Sequence, residues 1–317
     1  MNGTHNAIET HDLSRAFRNR VAVDRLSIAI PSGKVFGFLG PNGAGKTTTV
    51  RMLAGLIAPT SGTARVGGYE LGPENKQIRK SVGILTETPG LYGDLTALQN
   101  LIFFGGLYEV PAARVAEQAG RYLKMLDLWD RRDDKVSGFS KGMRQKLALV
   151  RALLHEPRVV FLDEPTAGLD PQAARTVHEF IANMRAEGRT VFLTTHNLNE
   201  ADALCDLIAV FRTRLLRLDT PSRLREQLFG KGTLVQVAGD AQPWEDAVRS
   251  LPFVKSVQAE GDTLSVGLDT PDEQNPQLLA ALVHAGAPVR YVRPVSASLE
   301  EVYLELIGED VPADKGT

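Results

Sequence analysis

Residues 40–48 read GPNGAGKTT, directly after the apolar run VFGFL and before the helical pattern TVRMLAGL. This is G-x-x-x-x-G-K-[ST] in its strand–loop–helix setting. Gly40, Gly43 and Gly45, with Asn42 between them, let backbone N–H groups converge on phosphate oxygens. The helix that opens at Lys46-Thr47-Thr48 adds the partial positive charge of its N-terminus. Lys46 is suited to neutralise β- and γ-phosphates, and the Thr47 hydroxyl to ligate Mg²⁺. A second run, Val159-Val-Phe-Leu-Asp163-Glu164, places two acids at the end of an apolar strand. Asp163 is suited to contact Mg²⁺, directly or through a neighbouring ligand. Glu164 is suited to polarise an attacking water, because phosphoryl transfer depends mainly on positioning and electrostatic help. Thr194-Thr-His196 ends the next strand, from which an imidazole reaches the γ-phosphate. The chemistry implied is phosphoryl transfer to water.

These groups need a common sheet edge. Val35–Leu39, Val82–Leu85, Val159–Leu162, Val191–Thr194 and Leu207–Phe211 are near-continuous apolar runs, as expected of parallel strands covered on both faces. They alternate with helical patterns, so the first part of the chain is expected to be α/β. From about residue 94 to 155 the pattern is helical throughout, which predicts a helical insert. The nucleotide-binding domain is expected to span residues 1–228. Beyond a break near Phe229-Gly-Lys-Gly-Thr233, the order β-α-β-β-α-β predicts a small ferredoxin-like α+β domain over 231–307. Its strands are Thr233–Val237, Val254–Ala259, Thr263–Leu268 and Val289–Pro294, and its helices Trp244–Ser250 and Gln274–Ala285. A last helix opens with the capping box Ser298-Leu-Glu-Glu301 and ends at Gly308. The polar tail over 308–317 is expected to be disordered.

The 317 residues are 43% hydrophobic and 23% charged with a formal net charge of −2, ordinary globular values that give no electrostatic reason to expect nucleic acid. One cysteine, Cys205, excludes an intramolecular disulfide and suits a reducing cytosol. Its ALCDLIAV context reads as a small buried residue. No signal peptide or stretch of about 18 apolar residues is present, so a cytoplasmic location is expected, with any membrane attachment supplied by another chain.

Ser140-Lys-Gly142 stands before the helical stretch MRQKLALVRALL. By itself it reads as an ordinary N-cap. The ordered set GPNGAGKTT, FSKGMRQK, VVFLDEPTAGLD and TTH, over about residues 8–220, resembles the ATP-binding subunit of an ABC transporter. The fold implied is a P-loop NTPase core with a helical subdomain. The resemblance implies a head-to-tail homodimer with ATP and Mg²⁺ sandwiched between the P-loop of one protomer and the signature helix of the other. Ser140 and Gly142 would then bind the γ-phosphate of the partner's nucleotide. Asp170, in Ala167-Gly-Leu-Asp170, matches the loop that crosses the dimer interface, and Phe17 matches the aromatic that stacks on adenine. Lys141 and Met143 depart from the usual LSGGQ signature. Glu87 stands where the family more often has the glutamine that contacts the Mg²⁺/water site and the membrane partner. Both departures, and the motif Ser298-Leu-Glu-Glu-Val-Tyr303, resemble a subfamily, mostly of exporters, whose permease is a separate chain. The implied partner is an integral-membrane permease, docked on the cytoplasmic face against the helical insert near Leu91, Tyr92 and Phe103.

Two rivals stay open at this stage. A soluble ATPase of the same kind could act on DNA or the ribosome, against which stand a single nucleotide-binding domain and the lack of a long coiled coil or basic face. A non-catalytic ATP-gated regulator would need Glu87 or Lys141 to suppress turnover, against which stand Glu164 and His196.

Overall fold

The computed structural model describes residues 5–18, 20–86, 88–295 and 298–309. The chain divides into two compact units, residues 1–221 and 222–317. The helix at 221–229 thus belongs almost wholly to the second unit, whereas the expected boundary lay at its end.

The first unit opens with a long hairpin, β1 (Asn6–Phe17) and β2 (Arg20–Pro31), followed by β3 (Val35–Leu39) and α1 (Lys46–Leu53). Next come β4 (Ser61–Val66), β5 (Tyr69–Glu70), α2 (Asn75–Ser81) and β6 (Val82–Leu85). The helical insert is α3 (Ala97–Leu107), α4 (Ala112–Met125) and α5 (Lys141–Leu153). The chain then returns as β7 (Val159–Asp163), α6 (Pro171–Ala186), β8 (Thr190–Thr195), α7 (Leu198–Leu204), β9 (Leu207–Arg212) and β10 (Arg214–Asp219).

Two sheets form this unit. A four-stranded antiparallel sheet runs β2-β1-β4-β5, and a six-stranded sheet runs β10-β9-β3-β8-β7-β6, parallel except for β10. Every residue of β3, β7 and β8 is buried, which explains their unbroken apolar runs. One core joins the sheets through α1: Ile8, Leu13, Val23 and Leu26 share it with Val50, Leu53, Phe36, Phe38, Phe161 and Phe192. Phe36 and Phe38 each lie within 5.3 Å of Phe192, centroid to centroid. The parallel register pairs Leu39 with Thr195 and Asp163 with Thr194. Gly40, Glu164 and His196, each just past its strand, therefore emerge on one edge.

In the insert, α4 buries Val115, Gln118, Ala119, Tyr122 and Leu123, a helical stripe, and α3 is opened by a Thr96–Gln99 capping box. Cys205 is buried beside Gly37, and burial pushes its thiol pKa up.

The second unit comprises α8 (Pro221–Phe229), β11 (Gly232–Val237), α9 (Glu245–Arg249), β12 (Ser256–Glu260), β13 (Thr263–Gly267), α10 (Pro271–His284), β14 (Val289–Pro294) and α11 (Leu299–Glu309). Its antiparallel sheet runs β12-β13-β11-β14, a split β-α-β arrangement over a core of Val235, Val237, Val248, Leu264, Val266, Leu278 and Leu282. The helix expected from Trp244 begins at Glu245, after a short turn, and α10 begins earlier than expected, where Pro271 starts its first turn. The Ser298–Glu301 capping box forms: Ser298 N donates to Glu301 Oε2 at 2.6 Å and Glu301 N to Ser298 Oγ at 3.1 Å. The hydrogen bonds that the Ser298 N–H and hydroxyl donate to the Glu301 carboxylate hold that carboxyl below its ordinary pKa. The tail expected over 308–317 lies outside the described residues from 310 onward.

Candidate active site

At this edge lies a cleft of about 520 Å³ lined by the residues 41–48 loop, by Phe17, Arg20 and Ala22 of the hairpin, and by Asp163, Glu164, Ala167 and His196. The loop takes its shape from glycines that nothing else could replace. Gly43 and Gly45 have φ of +77° and +108°. A Cβ on Gly45 would stand 2.1 Å from Ala22 O, and one on Gly40 2.2 Å from Phe211 O. Gly40 thus backs the loop against β9, whereas Asn42, Gly43, Gly45, Lys46, Thr47 and Thr48 face the cleft. Helix α1 starts at Gly45 with no side-chain cap, so its first-turn N–H groups are left for a ligand.

Lys46 is 6% exposed. Its Nζ donates to Gly40 O at 2.7 Å and sits 3.6 Å from Glu164 Oε1. Glu164 Oε2 lies 2.8 Å from His196 Nδ1, within hydrogen-bond reach. Glu164 holds φ of +51°, a left-handed conformation that costs a non-glycine residue about 1 kcal/mol or more. Its N–H donates to Thr194 O at 3.1 Å, which helps to fix it there. Asp163, 2% exposed, accepts from Thr47 Oγ1 at 2.8 Å and from the Thr194 hydroxyl. A hydroxyl and a carboxylate side by side are hard oxygen donors, and this pair fits Mg²⁺ held with the help of substrate phosphates.

The residues placed elsewhere form a second group. Ser140 is exposed and caps α5, its Oγ accepting from Met143 N at 3.2 Å. Gly142 packs near Leu169 and Ala173, and Lys141 Nζ lies against Gly168. Asp170 caps α6, accepting from Ala173 N at 2.8 Å. None of Ser140, Gly142 or Asp170 lines the cleft of its own chain. Phe17 lines it, 45% exposed, with the Arg15 guanidinium 4.4 Å above its ring. Glu87 lies outside the described residues.

Sequence reasoning missed Arg20 and the Thr194 hydroxyl. Thr194 stood in a motif read only for its histidine. Arg20 stands in no motif, and only its place three residues after Phe17 hinted at the cleft. Next to the loop that follows β6, Tyr92, Ile102, Phe103 and Leu107 are exposed, and the Tyr92 and Phe103 rings meet edge-to-face at 5.0 Å. Arg151 of α5 donates to Pro89 O at 2.6 Å and Gly90 O at 3.0 Å, tying that loop to α5.

Residues 23–167 match the family model for ABC transporters, and residues 220–307 that for the ATP-binding protein DrrA1-3-like C-terminal domain. The chain is 36% identical over 307 residues to the Nod factor export ATP-binding protein I of Cupriavidus metallidurans, covering 96% of this chain and 98% of that one. It is 37% identical over 313 residues to the daunorubicin/doxorubicin resistance ATP-binding protein DrrA of Streptomyces peucetius, covering 97% and 94%. A similar solved structure, an ATP-binding subunit of an ABC transporter, shares 30% identity at a TM-score of 0.66 over 71% of this chain and 94% of its own. Two domain matches in order and relatives alike from end to end place the chain in one family: it belongs to the ATP-binding, ATP-hydrolysing subunits of ABC transporters, which power transport through a separate permease.

Proposed function

We propose that this subunit works as a head-to-tail homodimer in which each ATP lies between the cleft of one protomer and the α5 N-terminus of the other. The reading rests on the contact of Lys46, Glu164 and His196 in one cleft, while Ser140 and Gly142 do not line that cleft on the same chain. Lys46 binds and neutralises the phosphate chain. Glu164 orients the attacking water, and its proton-bearing partner His196 holds that carboxylate toward the γ-phosphate. Thr47 and Asp163 would hold Mg²⁺, whose charge offsets that developing on the phosphates. Phe17 offers the adenine a stacking face. Ser140 and Gly142 contribute N–H and hydroxyl donors from the partner, and the Asp170 loop runs along the interface.

The exposed group Tyr92, Ile102, Phe103 and Leu107, with half-buried Leu91, is the docking surface for an integral-membrane permease. No helix among the described residues is long and apolar enough to cross a membrane, which is consistent with attachment through that partner on the cytoplasmic face. Relatives named for Nod factor export and for daunorubicin/doxorubicin and linearmycin resistance support export of a bulky organic molecule as the transport performed. Light scattering of the Glu164→Gln protein with ATP and Mg²⁺ tests the sandwich. A shift from monomer to dimer is expected, and a monomer at saturating ATP would overturn it.

A further inference from the structure

Arg20 opens β2, at the turn that closes the β1–β2 hairpin, three residues from Phe17. Its Nη2 donates to Gly43 O at 2.8 Å, and a Cβ on Gly43 would stand 3.2 Å from that nitrogen. The guanidinium therefore touches the middle of the phosphate loop and lines the cleft together with Asp163 and Glu164, from a different element.

The charges in the cleft single it out. Besides His196, two basic and two acidic side chains line it: Arg20, Lys46, Asp163 and Glu164. Lys46 stands 3.6 Å from Glu164, and Asp163 is taken up by the hydroxyls of Thr47 and Thr194. Arg20 has no acidic partner among the described residues, and only one of its five N–H donors is used, on a backbone carbonyl. A planar fork of free donors beside a loop shaped for phosphate matches a phosphate oxygen pair better than any group already present.

We propose that Arg20 is a second cation for the phosphate chain of the bound nucleotide, acting from the same protomer as Lys46 and favouring nucleotides in proportion to their phosphates. The proposal rests on the reading of this cleft as the ATP site. The competing role for Arg20 is mechanical: its bond to Gly43 would merely hold the hairpin, and with it Phe17, against the loop.

Titration calorimetry of the full chain with adenosine, ADP and ATP, without Mg²⁺ so that no turnover occurs, separates the two. In Arg20→Gln, ATP affinity should fall about tenfold or more, ADP affinity less, and adenosine affinity not at all. Arg20→Lys, which keeps the charge but not the fork, should recover part of the loss. The decisive readout is salt: the ATP affinity of the native protein should weaken with ionic strength more steeply than that of Arg20→Gln. A disturbed loop without a lost charge contact would leave the two salt slopes equal, and a misplaced Phe17 would weaken all three ligands alike. Either result overturns the proposal, as does unchanged ATP affinity in Arg20→Gln. A native protein that bound none of the three would overturn the ATP-site reading itself.

Discussion

Two helices of this chain carry the proposed phosphate contacts at their starts, and they begin in opposite ways. Helix α1 starts at a glycine with φ of +108°, has no side-chain cap, and buries its first residue, Lys46, beside Glu164. Helix α5 starts at Ser140, whose hydroxyl satisfies Met143 N, and Ser140 and Lys141 are exposed while Gly142 is half-buried. At the far end the contrast reverses. Arg151 and His155 bind the C-terminal end of α5 to Pro89, Gly90 and Val82. A helix start left uncapped inside a cleft is completed by a ligand of its own chain. A start already capped and outside the cleft of its own chain fits the proposed contact with a ligand held by another protomer.

The sharpest way to break this comparison is to place one methyl group on each start. In Gly45→Ala the new Cβ meets Ala22 O at 2.1 Å in a conformation that L-residues avoid. Loss of measurable ATP binding and destabilisation of several kcal/mol in chemical denaturation are expected. Gly142→Ala puts its Cβ in ordinary contact, 3.6 Å from Ala173 Cβ and Leu169 Cδ2. Thermal stability should hold or rise by up to about 1 kcal/mol, and ATP affinity of the monomer should be unchanged. ATP-driven dimerisation in the Glu164→Gln background should weaken. A fall in monomer affinity would mean that α5 serves the cleft of its own chain.

Ser140→Arg carries the comparison a step further. The loss of the cap costs about 1 kcal/mol, read as a lower melting temperature. The bulk added at an exposed helix start should abolish ATP-driven dimerisation while leaving calorimetric ATP binding intact. A variant that dimerised and hydrolysed ATP at native rates would make α5 an ordinary capped helix.

What was legible in the sequence follows the same division. The parallel strands were visible because burial on both faces leaves unbroken apolar runs, and the strand-end groups followed from them. The antiparallel sheet was not: β1, NAIETHDLSRAF, alternates imperfectly through shifts in its pairing between Thr10 and Ala16, and has the polar look of a loop. Arg20 was hidden for that reason, since its function depends on a hairpin that had not been seen. Ser140 was legible as a cap from its type alone, but the placement of α5 depends on the anchor at its far end. That anchor, Arg151 reaching two carbonyls some 60 residues away in sequence, has no local signature.

The smallest expected effect tests the anchor by itself. His155 follows α5, stacks on Tyr108 at 3.9 Å, and has Nε2 3.0 Å from Val82 O. Because a carbonyl only accepts, Nε2 carries the hydrogen. Nδ1 is then the bare nitrogen, buried and without a partner among the described residues. A second proton would have to sit on that nitrogen with nothing to receive its hydrogen bond, and burial, with the nearby Arg189 charge adding to it, lowers the pKa below the ordinary 6.5. The unfolded chain therefore takes up a proton near pH 6.5 that the folded chain refuses until lower pH. The associated stability is complete above about pH 6.5 and is lost as pH falls through the folded value. Melting temperatures from pH 7.5 to 5 should fall less steeply in His155→Gln, which keeps a donor for Val82 O, than in the native protein. ATP affinity at pH 7.5 should not change, because the anchor acts on α5 and not on α1. Parallel melting curves for the two proteins would show that this end of α5 is solvated, and would remove one of the two residues that anchor it.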